Sequence, residues 1–218
     1  YGWLVRGWGV PTAVPAPQRL TRGDRTVTYA WRLLPSLPTP RSEVTAAELG
    51  GRVYVIGGLD GLGRTSTAVE VYDPASGRWS PGPRLPAGRH HAAAAAVGNT
   101  LYVAGGFSGL AFRPHAEVYA LAATSSAWVV RAPLPAARGA LTASAIDGKL
   151  YAYGGVDQRG VTGALTVYDP RRDQWLTATS SPTIREHHAA AALGGKLYVA
   201  GGRQVGISHN LPSLEIYD

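Results

Sequence analysis

A pair of adjacent glycines recurs four times along the 218-residue chain, at spacings of 48, 49 and 47 residues. Four other positions recur in the same phase: a tryptophan, an arginine ten residues later, a tyrosine thirteen residues after that, and a second tyrosine. A period near 50 that holds five positions in phase is typical of a β-propeller. The repeated residues are Gly57-Gly58, Gly105-Gly106, Gly154-Gly155 and Gly201-Gly202; Trp31, Trp79, Trp128 and Trp175; Arg41, Arg89, Arg138 and Arg185; Tyr54, Tyr102, Tyr151 and Tyr198; and Tyr72, Tyr119, Tyr168 and Tyr217.

Each repeat predicts four short strands. The first is small and apolar, as in 92–97, and the second is an apolar run such as 101–104 that ends in the glycine pair. The third alternates polar and apolar residues, as in 69–72, which is typical of a half-buried strand. The fourth surrounds the tryptophan. The sequence therefore predicts an all-β fold, a β-propeller built of four-stranded antiparallel blades, with four repeats in this chain.

This pattern resembles the kelch repeat, whose hallmarks are a Gly-Gly pair after an apolar strand, then a tyrosine and then a tryptophan. The resemblance covers about residues 29–218 and extends to the bacterial kelch proteins, since an Arg-rich, Ala-rich and Lys-poor composition suggests a bacterial source. It implies a propeller, commonly of six or seven blades, and it does not fix a function because one fold hosts many functions.

The order of strands leaves two architectures open. Units are expected near 41–81, 89–131, 138–178 and 185–218, preceded by a lone strand at 29–34 around Trp31, while residues 1–28 form a basic, Pro-rich linker or an upstream remnant. The chain begins with Tyr1 and contains no methionine, which favours a fragment of a six- or seven-bladed ring. The alternative is a four-bladed ring closed by the Trp31 strand, which would complete the last unit.

Composition excludes several classes of function. The net charge is +7, of which residues 1–40 contribute +4 (five arginines against Asp24), so the rest of the chain is nearly balanced and no nucleic-acid partner is expected. No apolar run is long enough for a membrane span. Without cysteine, the chain can form no disulfide or thiolate metal site, and its compartment stays open between secreted, periplasmic and cytoplasmic. The oligomeric state is likewise open.

Candidate binding residues are sought where the repeats differ, because a repeated side chain supports the fold in every unit. The copies diverge just after the repeated arginine and just after the glycine pair. In kelch adaptors of ubiquitin ligases these two kinds of position converge on one mouth of the propeller, and the resemblance implies the same here. The residues expected at the mouth are Glu43, Asp60, His91, Phe107, Asp157, Glu186, His187 and Arg203.

The histidine pairs raise the question of a metal. Neighbouring residues of a strand point to opposite faces, so only one histidine of His90-His91 and one of His187-His188 is expected to face a common site. Units two and four are not adjacent in sequence, which should keep the two histidines apart. We therefore predict no metal and no cofactor, although a histidine and a glutamate that line one channel could transfer protons.

The predicted function is a non-catalytic kelch-repeat binding module that presents blade loops to a protein or glycan ligand, without catalytic residues. The alternative is a sugar mutarotase or epimerase resembling the bacterial sialic-acid mutarotase, in which Glu43, Glu186 and His187 would act as acid or base. Arg203 would then hold a carboxylate. The copper radical oxidase type is excluded because it needs a Cys–Tyr crosslink and the chain has no cysteine.

Overall fold

The computed structural model describes residues 16–22, 25–204, 206 and 209–218. The chain divides into two compact units, Tyr1–Ser36 and Leu37–Asp218. In the first unit, β1 (Gln18–Arg22) and β2 (Arg25–Tyr29) form an antiparallel hairpin in which Gln18 lies opposite Tyr29. Residues 1–15 of the predicted linker over 1–28 lie outside the described residues, and its described part forms this hairpin.

The predicted strand around Trp31 is wrong. Strand β2 ends at Tyr29, and residues 30–36 form no strand. The residues before Trp31 have their ladder partners within the hairpin, and the indole of Trp31 is 79% exposed. A strand from 29 to 34 that closes a four-bladed ring is therefore absent from the described part of the chain.

The second unit confirms four consecutive blades of antiparallel sheet. Within each blade the strands pair in chain order, from the axis outward. The first blade contains β3 (Thr45–Leu49), β4 (Arg52–Ile56), β5 (Val69–Asp73) and β6 (Arg78–Pro81); the second contains β7 (Ala93–Val97), β8 (Thr100–Ala104), β11 (Val118–Ala122) and β12 (Val129–Arg131), with the short hairpin β9 (Phe107–Ser108) and β10 (Arg113–Pro114) between β8 and β11; the third contains β13 (Thr142–Ile146), β14 (Lys149–Tyr153), β17 (Leu165–Asp169) and β18 (Gln174–Thr177), with the short hairpin β15 (Val156–Asp157) and β16 (Gly160–Val161); and the fourth contains β19 (Ala189–Leu193), β20 (Lys196–Ala200) and β21 (Leu214–Tyr217).

The core consists of one apolar layer between each pair of neighbouring blades. Strand β8 shows how a single strand serves two layers. Leu101 and Val103 pack against the first blade, whereas Tyr102 and Ala104 pack against the third. Both faces of a blade are thus apolar and alternate residues face opposite neighbours, which gives the continuous apolar runs seen in the sequence. Small alanines in β7 and β13 allow the innermost strands to approach each other at the axis.

The repeated tryptophan connects one blade to the next, and the repeated arginine supports its own blade. The indole N–H of Trp128 donates to the carbonyl of Pro83, and that of Trp175 donates to the carbonyl of Ala132, in each case in the linker that leaves the preceding blade. Arg185 donates to the carbonyl of Gly201, the first residue of its glycine pair. These contacts confirm that the repeated side chains serve the fold.

Candidate functional site

Four residues at equivalent positions of the four blades lie around the axis, where three backbone hydrogen bonds link them in blade order; we call this set the ring. Glu43, His91, Ala140 and His187 each lie two residues after the repeated arginine, and each has a left-handed φ of 49° to 53°. The amide of His91 donates to the carbonyl of Glu43 (3.1 Å), that of Ala140 to His91 (2.9 Å), and that of His187 to Ala140 (3.2 Å). This conformation costs a non-glycine residue about 1–3 kcal/mol and is concentrated at functional sites.

The ring brings together two histidines that were expected to lie apart. The imidazole centroids of His91 and His187 are 4.9 Å from each other. Blades two and four are separated in sequence, but every blade reaches the axis, so their axial residues meet there. The prediction that His90 and His91 point to opposite faces is also wrong, because residue 91 is left-handed rather than extended; their Nδ1 atoms lie 2.7 Å apart. His188 does turn away, and its Nε2 lies 2.9 Å from the Thr142 hydroxyl.

Two phenylalanines form an apolar wall beside the histidines. The ring of Phe107 lies 5.8 Å from that of His91, and the ring of Phe112 lies 5.5 Å from it, both edge to face. Phe112 was not predicted as a site residue. A signal was present, however, since these are the two phenylalanines of the whole chain and both lie in the loop after one glycine pair. His90, buried behind them, was also missed.

A charged cluster from the fourth blade completes the site. Glu186 and Arg203 exchange both backbone hydrogen bonds at 3.0 Å, and the guanidinium Nε donates to the Glu186 carboxylate at 2.6 Å. The second oxygen of that carboxylate lies 2.9 Å from Nδ1 of His187. The loop after the fourth glycine pair is thereby tied to the ring at the axis.

These groups border an open groove of about 690 Å³ that we call the mouth groove. Five of the eight predicted residues line it: Phe107, Asp157, Glu186, His187 and Arg203. Phe112, Arg159 and Ile184 line it as well. Glu43 and His91 lie next to the groove in the ring, with Glu43 Oε2 3.1 Å from His91 Nε2.

Asp60 does not join the other predicted residues. Its carboxylate accepts hydrogen bonds from the amides of Leu62 and Arg64 and from the Arg64 guanidinium, all within its own loop. The hydrogen bond from the Arg64 amide is the main cause that lowers the pKa of Asp60. Asp60 therefore stabilises the turn after the first glycine pair, and the structure assigns it no place in the groove.

Burial controls the protonation of His90 and His91. It lowers the pKa of His91 to about 4, against the opposing influence of the Glu43 carboxylate. Burial also lowers the pKa of His90. Both rings are therefore neutral near pH 7 and present lone pairs. Among the described residues, one potential metal-ligand set stands out: ligand atoms of Glu43, His91 and His187 lie within 4.8 Å of one another.

Comparison with known proteins shows which family this architecture matches. The family model described as the KLHDC2/KLHL20/DRC7 Kelch-repeats domain matches residues 82–218, and the Kelch motif matches residues 40–86. An F-box/kelch-repeat protein of Arabidopsis thaliana is 43% identical over 56 residues, which are 25% of this chain and 16% of that protein. Kelch repeat and BTB domain-containing protein 13 of Homo sapiens is 37% identical over 79 residues, covering 32% of this chain and 17% of that protein.

The match to these relatives is confined to a small part of each. Kelch-like protein 21 of Danio rerio is 54% identical over 37 residues, which are 17% of this chain and 6% of that protein. The chain thus spans less than a fifth of the length of each relative. These relatives come from a plant and from animals, so they give no support to the expected bacterial type. Among the residues that the structure describes, none belongs to a helix that is long and apolar enough to cross a membrane.

Proposed function

The chain belongs to the kelch-repeat family, and on that premise we propose that it is a protein-binding module that holds a protein segment in the mouth groove. Kelch-repeat proteins generally act as protein-interaction modules. The observation that carries the proposal is the groove itself, which gathers variable residues from three blades at one mouth. Its volume lies in the range of about 300–1,000 Å³ that is typical of ligand-binding clefts.

The chemistry of the groove favours a segment with an apolar anchor and polar flanks. Phe107 and Phe112 offer aromatic surface, and Phe112 is 45% exposed and free to be covered by a ligand. Arginine and aromatic side chains at the centre of an interface contribute most of the binding energy in typical complexes. Asp157, Arg159 and Arg203 surround this apolar surface with charges of both signs, which would fix the register of a bound segment.

Two other functions stay as predictions that the same experiments address. A glycan ligand would use the polar rim and stack on the phenylalanines. Mutarotase activity would need Arg203 to clamp a sugar carboxylate, yet this guanidinium already donates to Glu186 at 2.6 Å. A substrate carboxylate would have to displace that bond, so we rank binding of a protein segment first.

Selection of displayed random peptides on the purified chain tests the proposal. Enriched peptides are synthesised, and their Kd is measured by fluorescence polarisation. Phe112→Ser should weaken binding about 10-fold, since loss of one aromatic anchor costs about 1.4 kcal/mol. Leu176→Ser is the matched control because Leu176 is an exposed apolar residue of strand β18, outside the groove lining.

Three outcomes would contradict the proposal. Peptides that bind Phe112→Ser and the unmodified chain equally well would locate their site elsewhere. Failure to enrich any peptide, together with binding on a glycan array that Phe112→Ser abolishes, would make the ligand a glycan. Anomer exchange of N-acetylneuraminate faster than in buffer, measured by NMR and lost in Arg203→Ala, would make the protein an enzyme.

A further inference from the structure

We propose that the ring at the propeller axis carries a divalent-metal site in which Glu43, His91 and His187 bind an ion of the Zn²⁺ type. Two imidazoles and one carboxylate form a donor set that this ion commonly takes in proteins, with a fourth position left for water or a ligand. His187 belongs both to this site and to the lining of the mouth groove, and the proposal does not depend on what the groove binds.

A chain of contacts through His90 and His91 is one hydrogen short. Nε2 of His90 lies 3.1 Å from the carbonyl of Gly109, its Nδ1 lies 2.7 Å from Nδ1 of His91, and Nε2 of His91 lies 3.1 Å from the Glu43 carboxylate. Both ends of this chain are oxygens that only accept. Three contacts need three hydrogens, but two neutral imidazoles supply two.

The tautomer of His90 decides which contact lacks its hydrogen. If His90 donates from Nε2 to the Gly109 carbonyl, its Nδ1 must accept from Nδ1–H of His91. Nε2 of His91 then presents a lone pair to a carboxylate oxygen at 3.1 Å. Two acceptors at this distance repel each other unless a cation lies between them, and the cation is either a proton or a metal ion.

The surroundings disfavour the proton. The side chain of His91 is 6% exposed, and two phenylalanine rings and two imidazoles contact it. A metal ion takes the place of the missing hydrogen between His91 and Glu43 and can also bind the imidazole of His187, whereas a proton bridges only two atoms.

His187 is oriented as a metal ligand. Two groups contact its Nδ1, the Glu186 carboxylate at 2.9 Å and Nη2 of Arg203 at 3.2 Å, and we assign Nδ1–H to the shorter contact. Nε2 then keeps the lone pair that a metal needs. A carboxylate that holds the remote nitrogen of a ligating histidine is a recurrent feature of metal sites.

The local charge also suits a dication. Glu43 and Glu186 contribute two negative charges, and among the described residues Arg203 contributes the one positive charge that contacts this cluster. Because the guanidinium donates to Glu186 at 2.6 Å, its charge is largely compensated by that carboxylate. The cluster is therefore a net anion before the ion binds.

Metal titration tests the proposal. The chelator-treated full chain is titrated with Zn²⁺ against a chromogenic chelator, and with Co²⁺, whose visible absorption reports coordination by protein ligands. We expect one ion per chain and a rise in Tm with Zn²⁺, since an ion that binds the folded state stabilises it. Glu186→Gln should weaken binding by roughly 10- to 100-fold, the usual cost of losing such a supporting partner, and Glu43→Gln and His187→Gln by more.

A second histidine–glutamate pair provides the matched control. Nδ1 of His115 lies 3.3 Å from Glu117, outside the metal-ligand set, so His115→Gln should bind Zn²⁺ like the unmodified chain. Glu43 is partly exposed, so Glu43→Gln should fold, which its circular dichroism would verify. Absence of stoichiometric binding, or equal affinity in Glu43→Gln, His187→Gln and His115→Gln, would overturn the proposal.

Discussion

The buried ion pair of the first blade allows a sharp test of how the repeated arginine supports the fold. Arg41 is fully buried, and its Nη1 lies 2.9 Å from the carboxylate of Glu70, which also accepts from the Thr39 hydroxyl at 2.8 Å. Glu70→Gln removes the negative charge and keeps the shape and one acceptor. The guanidinium would still donate to the carbonyl of Gly57.

The expected loss follows from the geometry. Two unit charges 2.9 Å apart attract by about 6 kcal/mol at an effective dielectric constant of 20. Most of this lost attraction is offset, because the substitution also removes the cost of burying the Glu70 carboxylate away from water, which amounts to several kcal/mol. We expect Glu70→Gln to lower the free energy of unfolding by about 2 kcal/mol, which for a chain of this length lowers Tm by about 4–8 °C.

Urea unfolding followed by tryptophan fluorescence measures this loss, and an unchanged m-value would show that the cooperative unit is the same. Glu48→Gln is the matched control, because Glu48 lies in the same blade and accepts a hydrogen bond from the Gly51 amide at the exposed surface. Its effect should stay within about 0.5 kcal/mol. Equal stability of Glu70→Gln and Glu48→Gln would refute the argument that the charge of Glu70 compensates Arg41.

Two further predictions use the third blade. The hydrogen-bond partner of Arg138 is Thr166, at the position where the other blades have glutamate, and burial lowers the pKa of Arg138 to about 10. Thr166→Glu should therefore raise the free energy of unfolding by about 1 kcal/mol. A lower free energy of unfolding in urea would contradict this. The Tyr168 hydroxyl donates to Asp173, and this hydrogen bond lowers the pKa of the Asp173 carboxyl in the folded state. The ionised carboxylate therefore stabilises the fold above the pKa that it has in the unfolded chain, and this stabilisation is lost as the pH falls through its folded pKa. Tyr168→Phe should lower the free energy of unfolding by about 1–2 kcal/mol at pH 7 and should make stability fall less steeply below about pH 4. If thermal melts at a series of pH values show the same loss of stability at low pH in the variant and the unmodified chain, Tyr168 does not cause the pKa shift of Asp173.

The repeat made the blades predictable from sequence. Strands β4, β8, β14 and β20 each end at the glycine pair, as expected, because these glycines adopt positive φ where backbone approaches closely. A Cβ at Gly155 would lie 2.5 Å from the carbonyl of Gly139, so no other residue fits there. Steric constraints of this kind act within one repeat, so they can be predicted from the amino-acid sequence.

The Trp31 segment shows where the same reasoning fails. A tryptophan in phase with the others predicts an outer strand, but a strand needs a ladder partner, and pairing is decided by which backbone is near. In the described residues, Arg25–Tyr29 pairs with Gln18–Arg22, and no strand includes Trp31.

The sequence by itself determined the blade, its repeated tryptophan and arginine, and five of the residues that line the mouth groove. Only the tertiary structure decided that His91 and His187 meet, that Phe112 joins Phe107, and that Asp60 stays apart. The reason is that periodicity fixes each residue's place within its own blade. Distances between blades depend on the left-handed residues that turn side chains into a common axis, and no pattern within one repeat encodes them.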